Sequence, residues 1–148
     1  MTPQQIEIVK TSHAKIVPFK EQAAELFYCR LFELDPSLRL MFKSDMTEQK
    51  QKLMSAIALV VSSLDKLETL LPVVREMGRR HKTYGVQNRH YDLVGGALLW
   101  TLEIGLGDSW STEIAEAWAM AYWTLAAVMV EGAESPDPKR TQKKAMAA

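Results

Sequence analysis

A single cysteine, Cys29, is too few for a disulfide framework or for a cysteine-rich zinc or iron–sulfur site. Seven glycines and six prolines in 148 residues exclude collagen-like and low-complexity chains. Charge of one sign is also missing. Eighteen Lys and Arg offset eighteen Asp and Glu, so the formal net charge is zero. A general electrostatic binder of nucleic acid or of a membrane surface should be strongly basic, so neither partner is expected. The longest uncharged runs, such as Ala117 to Val130, fall short of the roughly 20 residues that a membrane span needs. MTPQQIEIVK carries no charged-then-apolar leader pattern, and the expected location is cytoplasmic. No phosphate-binding glycine fingerprint, nucleophile elbow or HExxH stands anywhere in the chain.

What remains is a chain of ordinary globular composition, 47% hydrophobic and 24% charged, long enough for one domain with a sizeable core. No proline lies between Pro72 and Pro136, and the intervening sequence is rich in Ala, Leu, Met and Glu. That favours helix, and no hairpin signal flanks strand-like runs. The expected class is all-α, with seven or eight helices.

Thr2-Pro3 starts the first helix, which runs to about Val17, with Gln5 at the capping-box position. Pro18 opens a second helix, ending at Leu34, with Ala23, Leu26, Phe27, Arg30, Leu31 and Leu34 along one face. Asp35-Pro36 opens a short helix to Phe42, and Lys43 to Met46 forms a polar loop. Thr47 caps a helix to about Ser63. Further helices span about Glu68 to Lys82, Arg89 to Gly105 and Thr112 to Ala133. Residues 1–134 form the domain. Residues 135–148, SPDPKRTQKKAMAA, read as a disordered basic tail, the alternative being an anchor for an acidic partner.

Helical chains without a catalytic motif are binding modules, or they leave the chemistry to a cofactor. His81 is the informative residue. It sits near the end of a helix, on a face with Val74 and Met77. In an arbitrary sequence such a histidine is a solvated side chain. The sharper reading is an axial haem ligand, whose other ring nitrogen needs an acceptor such as the Met77 carbonyl one turn earlier. Tyr28 and Gln49 fall on inward-leaning faces. Each alone is a satisfied core residue, whereas together, facing a metal, they would be donors to a bound oxygen atom.

An ordered set of motifs carries a resemblance: FYCRLFELDP from Phe27, LRLMF ending at Phe42, Gln49 followed by Lys52-Leu53-Met54, GRRHKTYGV from Gly78, HYDLVG from His90, and AWAMAY from Ala117. In these the chain resembles the globins, specifically bacterial single-domain haemoglobins of the flavohaemoglobin-related group, with some likeness to neuroglobin. The resemblance covers residues 5 to 133.

It implies a globin fold around a haem pocket, with haem b and its iron as cofactor. His81 matches the proximal iron ligand, with Met77 supplying its carbonyl. Phe42 matches the phenylalanine on the haem face, Gln49 the distal gate, Leu53 the apolar residue one turn on, and Tyr28 the distal tyrosine. Val86 and Val94 match pocket-lining positions. Lys52 matches a propionate contact or is a solvated surface lysine. Tyr91 matches the tyrosine of a proximal network whose glutamate position here reads Ala133, between neighbours Glu131 and Glu134 that point elsewhere on a helix.

The implied ligands are O₂, NO and CO. The implied function is high-affinity reversible O₂ binding, with nitric oxide dioxygenation through a separate reductase as the enzymatic option. The alternative is a haem-free or haem-sensing signalling module on the same fold. Monomer and homodimer both stay open. His13 and His90 are expected at the surface, Cys29 against a neighbouring helix, and the four tryptophans mostly in the core.

Overall fold

A computed structural model of the chain describes residues 1–42 and 45–134. The tail over 135–148 and Lys43-Ser44 of the polar loop lie outside the described residues. Among the described residues there are six α-helices and no strand: α1 (Pro3–Ile16), α2 (Lys20–Leu34), α3 (Met46–Ser62), α4 (Leu67–Thr83), α5 (Asn88–Leu106) and α6 (Thr112–Glu134). The expected count of seven or eight is too high, because Pro36–Met41 is a 3₁₀ segment rather than a short α-helix. Asp35 caps it through Ser37 N–H at 3.0 Å, and the chain is extended again at Phe42.

Two helix starts differ from expectation for local reasons. Pro18 lies within a single 3₁₀ turn, Val17–Phe19, and α2 begins after it at Lys20. Proline lacks the N–H that would carry an α-helical bond across this corner. At α3 the cap is Asp45, whose Oδ1 accepts from Thr47 N–H at 3.0 Å. A carboxylate at the cap also faces the positive end of the helix dipole. The Thr2–Gln5 capping box of α1 forms in both directions.

The core has two parts. One joins Val9 and Ile16 of α1 to Leu102 and Leu106 of α5 and to Ala117, Trp118 and Ala121 of α6. Within it the Trp118 indole N–H donates to Ser12 Oγ at 2.8 Å, and Ser12 Oγ in turn donates to the Ile8 carbonyl at 2.7 Å. Ser12→Ala leaves that buried N–H without a partner and should cost about 1–3 kcal/mol in denaturant unfolding. Adding Trp118→Phe should cost less than the sum of the two single changes. Strict additivity would refute the pairing. The other core part, around Phe27, Tyr28, Leu31, Leu38 and Ala97, holds the candidate site.

Three surface expectations are corrected. His90 is buried, at 6% exposure, where its Nδ1 accepts from Gln87 N–H at 2.9 Å and caps α5. His13 is half-buried, its ring tilted against Trp118. Cys29 is exposed, because Phe27, Tyr28 and Leu31 take the inward stripe of α2 and leave its neighbour outside. Leu34 is also exposed, at the last turn of α2. Of the tryptophans, only Trp118 is fully buried, and Trp123 is exposed.

The two histidines set a pH dependence. Burial holds the His13 imidazole below its usual range. Burial, and then the Arg89 charge, do the same for His90 against an opposing pull from Asp35. Unfolded imidazoles take up protons near pH 6.5, whereas these folded ones resist until lower pH. The stability they contribute is therefore complete above about pH 6.5 and is lost on acidification. The thermal midpoint should fall from pH 7.5 to pH 5, and less steeply in His90→Gln, which keeps a capping acceptor without a titrating ring. Equal slopes in both proteins would refute the His90 share.

Candidate functional site

The second core cluster brings Phe42, Leu53 and Val94 to Tyr28 and leaves His81 outside it. Tyr28 leaves α2 into a cage of rings, with Phe27 edge-on at 5.0 Å, Phe42 edge-on at 5.6 Å and Phe32 tilted at 5.9 Å. Leu53 of α3, Val94 of α5 and Met46 pack on the same group. Gln49, one turn before Leu53, donates from Nε2 to the Tyr28 hydroxyl at 3.1 Å. Because the phenol oxygen accepts there, its own hydrogen stays free to donate elsewhere. Burial raises the Tyr28 pKa against a smaller lowering by the Gln49 bond, so the hydroxyl keeps its proton.

His81 lies in the last turn of α4. Its Nδ1 lies 2.6 Å from the Met77 carbonyl. A carbonyl only accepts, so Nδ1 carries the hydrogen and the Nε2 lone pair is free to bind a metal. Tyr84 tilts against the ring at 6.1 Å. Val86 N–H donates to the His81 carbonyl at 3.1 Å and ties the helix end to the following link. That link turns at Gly85, with φ +93°, a conformation that suits glycine.

The two halves meet at this link. A Cβ on Gly85 would stand 3.7 Å from Met41 Cε, so the Pro36–Met41 segment covers the turn after His81. Arg89 at the start of α5 pairs with Asp35 at the end of α2 at 2.9 Å. Phe42 and Val86, far apart in sequence, thereby flank one region. Sequence reading missed Met41, the Arg89–Asp35 pair and the capping role of His90. Only the Asp35-Pro36 punctuation pointed at any of them.

The remaining expected residues divide. Tyr91 is buried, and its hydroxyl pKa is raised by desolvation; its backbone carbonyl accepts from Tyr122 O–H at 2.6 Å. Lys52 is exposed and pairs with Glu48 along α3 at 3.3 Å, the solvated arrangement. No carboxylate hydrogen-bonds His81 among the described residues, and Glu131, close to the position in question, pairs with Arg75 at 3.4 Å.

A small apolar cavity of about 20 Å³ lies behind Leu53, bounded by Phe27, Ile57, Leu98, His13 and Trp118. No group of three or more His, Cys, Asp or Glu side chains that could hold a bare metal ion occurs among the described residues. An imidazole on α4 with Nε2 left for a metal and, on α2 and α3, an apolar cage carrying a hydroxyl and an amide are a donor set that suits an iron already held by a macrocycle rather than a bare ion. Among the same residues no helix is long and apolar enough to cross a membrane.

The profile of the family described as Globin matches residues 25–129. A flavohemoprotein of Bacillus subtilis is 32% identical over 126 residues, which is 82% of this chain and 31% of the relative. The chain thus spans about a third of such relatives. A neuroglobin of Danio rerio is 32% identical over 121 residues, 72% of this chain and 76% of the relative. Among solved structures, an engineered carbene transferase from Rhodothermus marinus, described as a candidate nitric oxide dioxygenase, aligns with TM-score 0.80 and 25% identity over 100% of this chain and 99% of its own.

Proposed function

Because the chain belongs to the globin family, we propose that it is a haem protein that binds O₂ reversibly and with high affinity, and that can turn bound O₂ against nitric oxide when a separate reductase supplies electrons. The pose of His81 carries this reading. Its Nδ1–H is committed to the Met77 carbonyl, so the imidazole presents Nε2 as an oriented ligand. When bound, a haem would supply an iron that, kept ferrous by electrons from outside, takes up a diatomic gas, so that O₂ would be the oxidant that turns nitric oxide into nitrate.

The protein's own residues then have separable tasks. Phe42, Val86 and Val94 supply apolar walls for the macrocycle. With a lone cysteine that is exposed on α2, no pair of thioether links can form, and a haem would be held without covalent attachment, as haem b is. Tyr28 donates its free hydroxyl hydrogen to a diatomic ligand, and Gln49 holds the phenol in position and polarises it. Leu53 crowds the same space and keeps water out. Burial keeps Tyr28 protonated, so this donation is constant through the neutral range.

A donor on the bound ligand slows its release, which suits scavenging or chemistry on bound O₂ better than bulk transport. Met77 gives a carbonyl rather than a carboxylate to the proximal imidazole. A less electron-rich ligand favours O₂ binding over peroxidase-like oxygen–oxygen cleavage. The 148 residues carry no dinucleotide fingerprint, so electrons come from a flavin- or nicotinamide-bearing unit outside them.

The test is the visible spectrum of the reduced protein before and after exposure to air, followed by nitric oxide consumption. A five-coordinate ferrous spectrum that converts to a lasting oxygenated one is expected. A protein that stays colourless when supplied with haem would overturn the proposal in favour of a haem-free signalling module. Nitrate formation with an added reductase separates enzymatic use from storage.

A further inference from the structure

Helix α4, which carries His81, packs chiefly on α6, with the Leu64–Lys66 turn touching its start. Its buried residues, Leu70, Val74 and Gly78, recur every fourth position along that side. The contact is unusually close at two places. A Cβ on Gly78 would fall 1.9 Å from the Met129 carbonyl oxygen, and one on Gly132 would fall 2.1 Å from the Arg75 carbonyl oxygen. Both obstructing atoms are backbone, so no side-chain rotation relieves them. The spacing is reciprocal. Arg75 and Gly78 are three residues apart on α4, as Met129 and Gly132 are on α6, and the pairing runs antiparallel. Each glycine turns a Cα–H toward the other helix's carbonyl, a weak hydrogen bond that only a missing side chain allows. The exposed ion pair of Arg75 with Glu131 stands beside them.

Gly78 directly follows Met77, whose carbonyl fixes the His81 ring. The backbone of α6 therefore locates the backbone of α4 one turn before the imidazole. From this geometry, and resting on the haem reading above, we infer that Gly78 and Gly132 are positioning residues for His81. They set the distance between α4 and α6 and so the placement of Nε2 toward the iron. A proximal ligand elsewhere restrained by a charged partner is restrained here by direct contact between two backbones. Cβ atoms at either site push α4 off α6 and carry the Met77 carbonyl with it.

The experiment compares haem-loaded full-length wild type, Gly132→Ala, Gly78→Ala and Gly105→Ala by resonance Raman of the ferrous form. Gly105 is the control for ordinary overpacking. Its Cβ would meet Ile16 Cδ1 at 2.9 Å and Phe19 Cε2 at 3.3 Å, on the α1–α5 side away from α4. The iron–histidine stretching band should shift in Gly132→Ala and Gly78→Ala and stay in place in Gly105→Ala, even where stability falls equally. Haem loss should quicken by about tenfold in the first two, matching an overpacking strain at the low end of its usual range.

An unshifted band in Gly132→Ala overturns the inference while leaving the haem reading intact. A wild type with no such band overturns both, and the absence in wild type distinguishes that case. If the alanine variants fail to fold, hydrogen exchange on haem-loaded wild type decides. The amides of residues 78–81 and of residues 129–132 should exchange through one common opening. Separate opening of α4 with α6 still protected overturns the inference.

Discussion

Replacing His81 with alanine should abolish specific haem binding while leaving the helical fold in place. Alanine is the better helix former, and the lost ring contributes to no core cluster, so α4 itself should not suffer. What goes is the oriented Nε2, and with it the proposed proximal ligand. The effect is readable without any activity assay. A cofactor that binds the native state at a thousand times its dissociation constant stabilises it by about 4 kcal/mol. Wild type should therefore gain several degrees in thermal midpoint when haem is added, and His81→Ala should gain none. Imidazole in solution should restore part of the spectrum by entering the space the ring leaves. A variant that keeps the wild-type ferrous spectrum would show that some other group binds the iron.

The second large effect is expected on ligand release. Tyr28→Phe deletes the hydroxyl that accepts from Gln49 and that is proposed to donate toward the ligand. A hydrogen bond to a group that gains charge is worth about 1.5–3 kcal/mol, so O₂ dissociation should quicken by roughly 10- to 150-fold. Gln49→Leu should have a smaller effect, because the amide holds the phenol in place and the phenol hydrogen remains. Stopped-flow displacement of O₂ by CO measures both. Since burial raises the Tyr28 pKa, the wild-type release rate should be flat from pH 6 to pH 9. A rate that rises with pH in that window would mean the hydroxyl ionises and is not the donor. Dissociation unchanged in Tyr28→Phe would remove it from the site.

The pattern of what the sequence revealed follows the range of the interactions. Helix positions could be read from local signals: the Thr2–Gln5 box and the Asp35-Pro36 stop each act within four residues. The site was legible because motif order fixed it. Tyr28 and Gln49 meet across 21 residues, and Met77 sits one turn from His81, as a helix dictates. Elements that needed tertiary context were misread. Pro36–Met41 has the punctuation of a helix and the tight turn of a 3₁₀ segment. His90 looks like any polar residue at a helix start, yet the chain buries it as a cap. The close crossing at Gly78 and Gly132 had no local signature at all, since nothing in either helix announces that its partner backbone lies opposite.

The space behind Leu53 bears on volume rather than on energy. At about 20 Å³ it exceeds the roughly 10–15 Å³ that one water molecule requires. Its lining is apolar apart from His13, the Trp118 indole, whose N–H donates to Ser12, and the Thr101 hydroxyl, which donates to the Ala97 carbonyl. Internal space of this kind is lost when the chain unfolds, which makes the unfolded state the smaller one. Hydrostatic compression should therefore act on this protein first where α1, α3 and α5 surround that void. The thermal and chemical routes to unfolding have no reason to begin there.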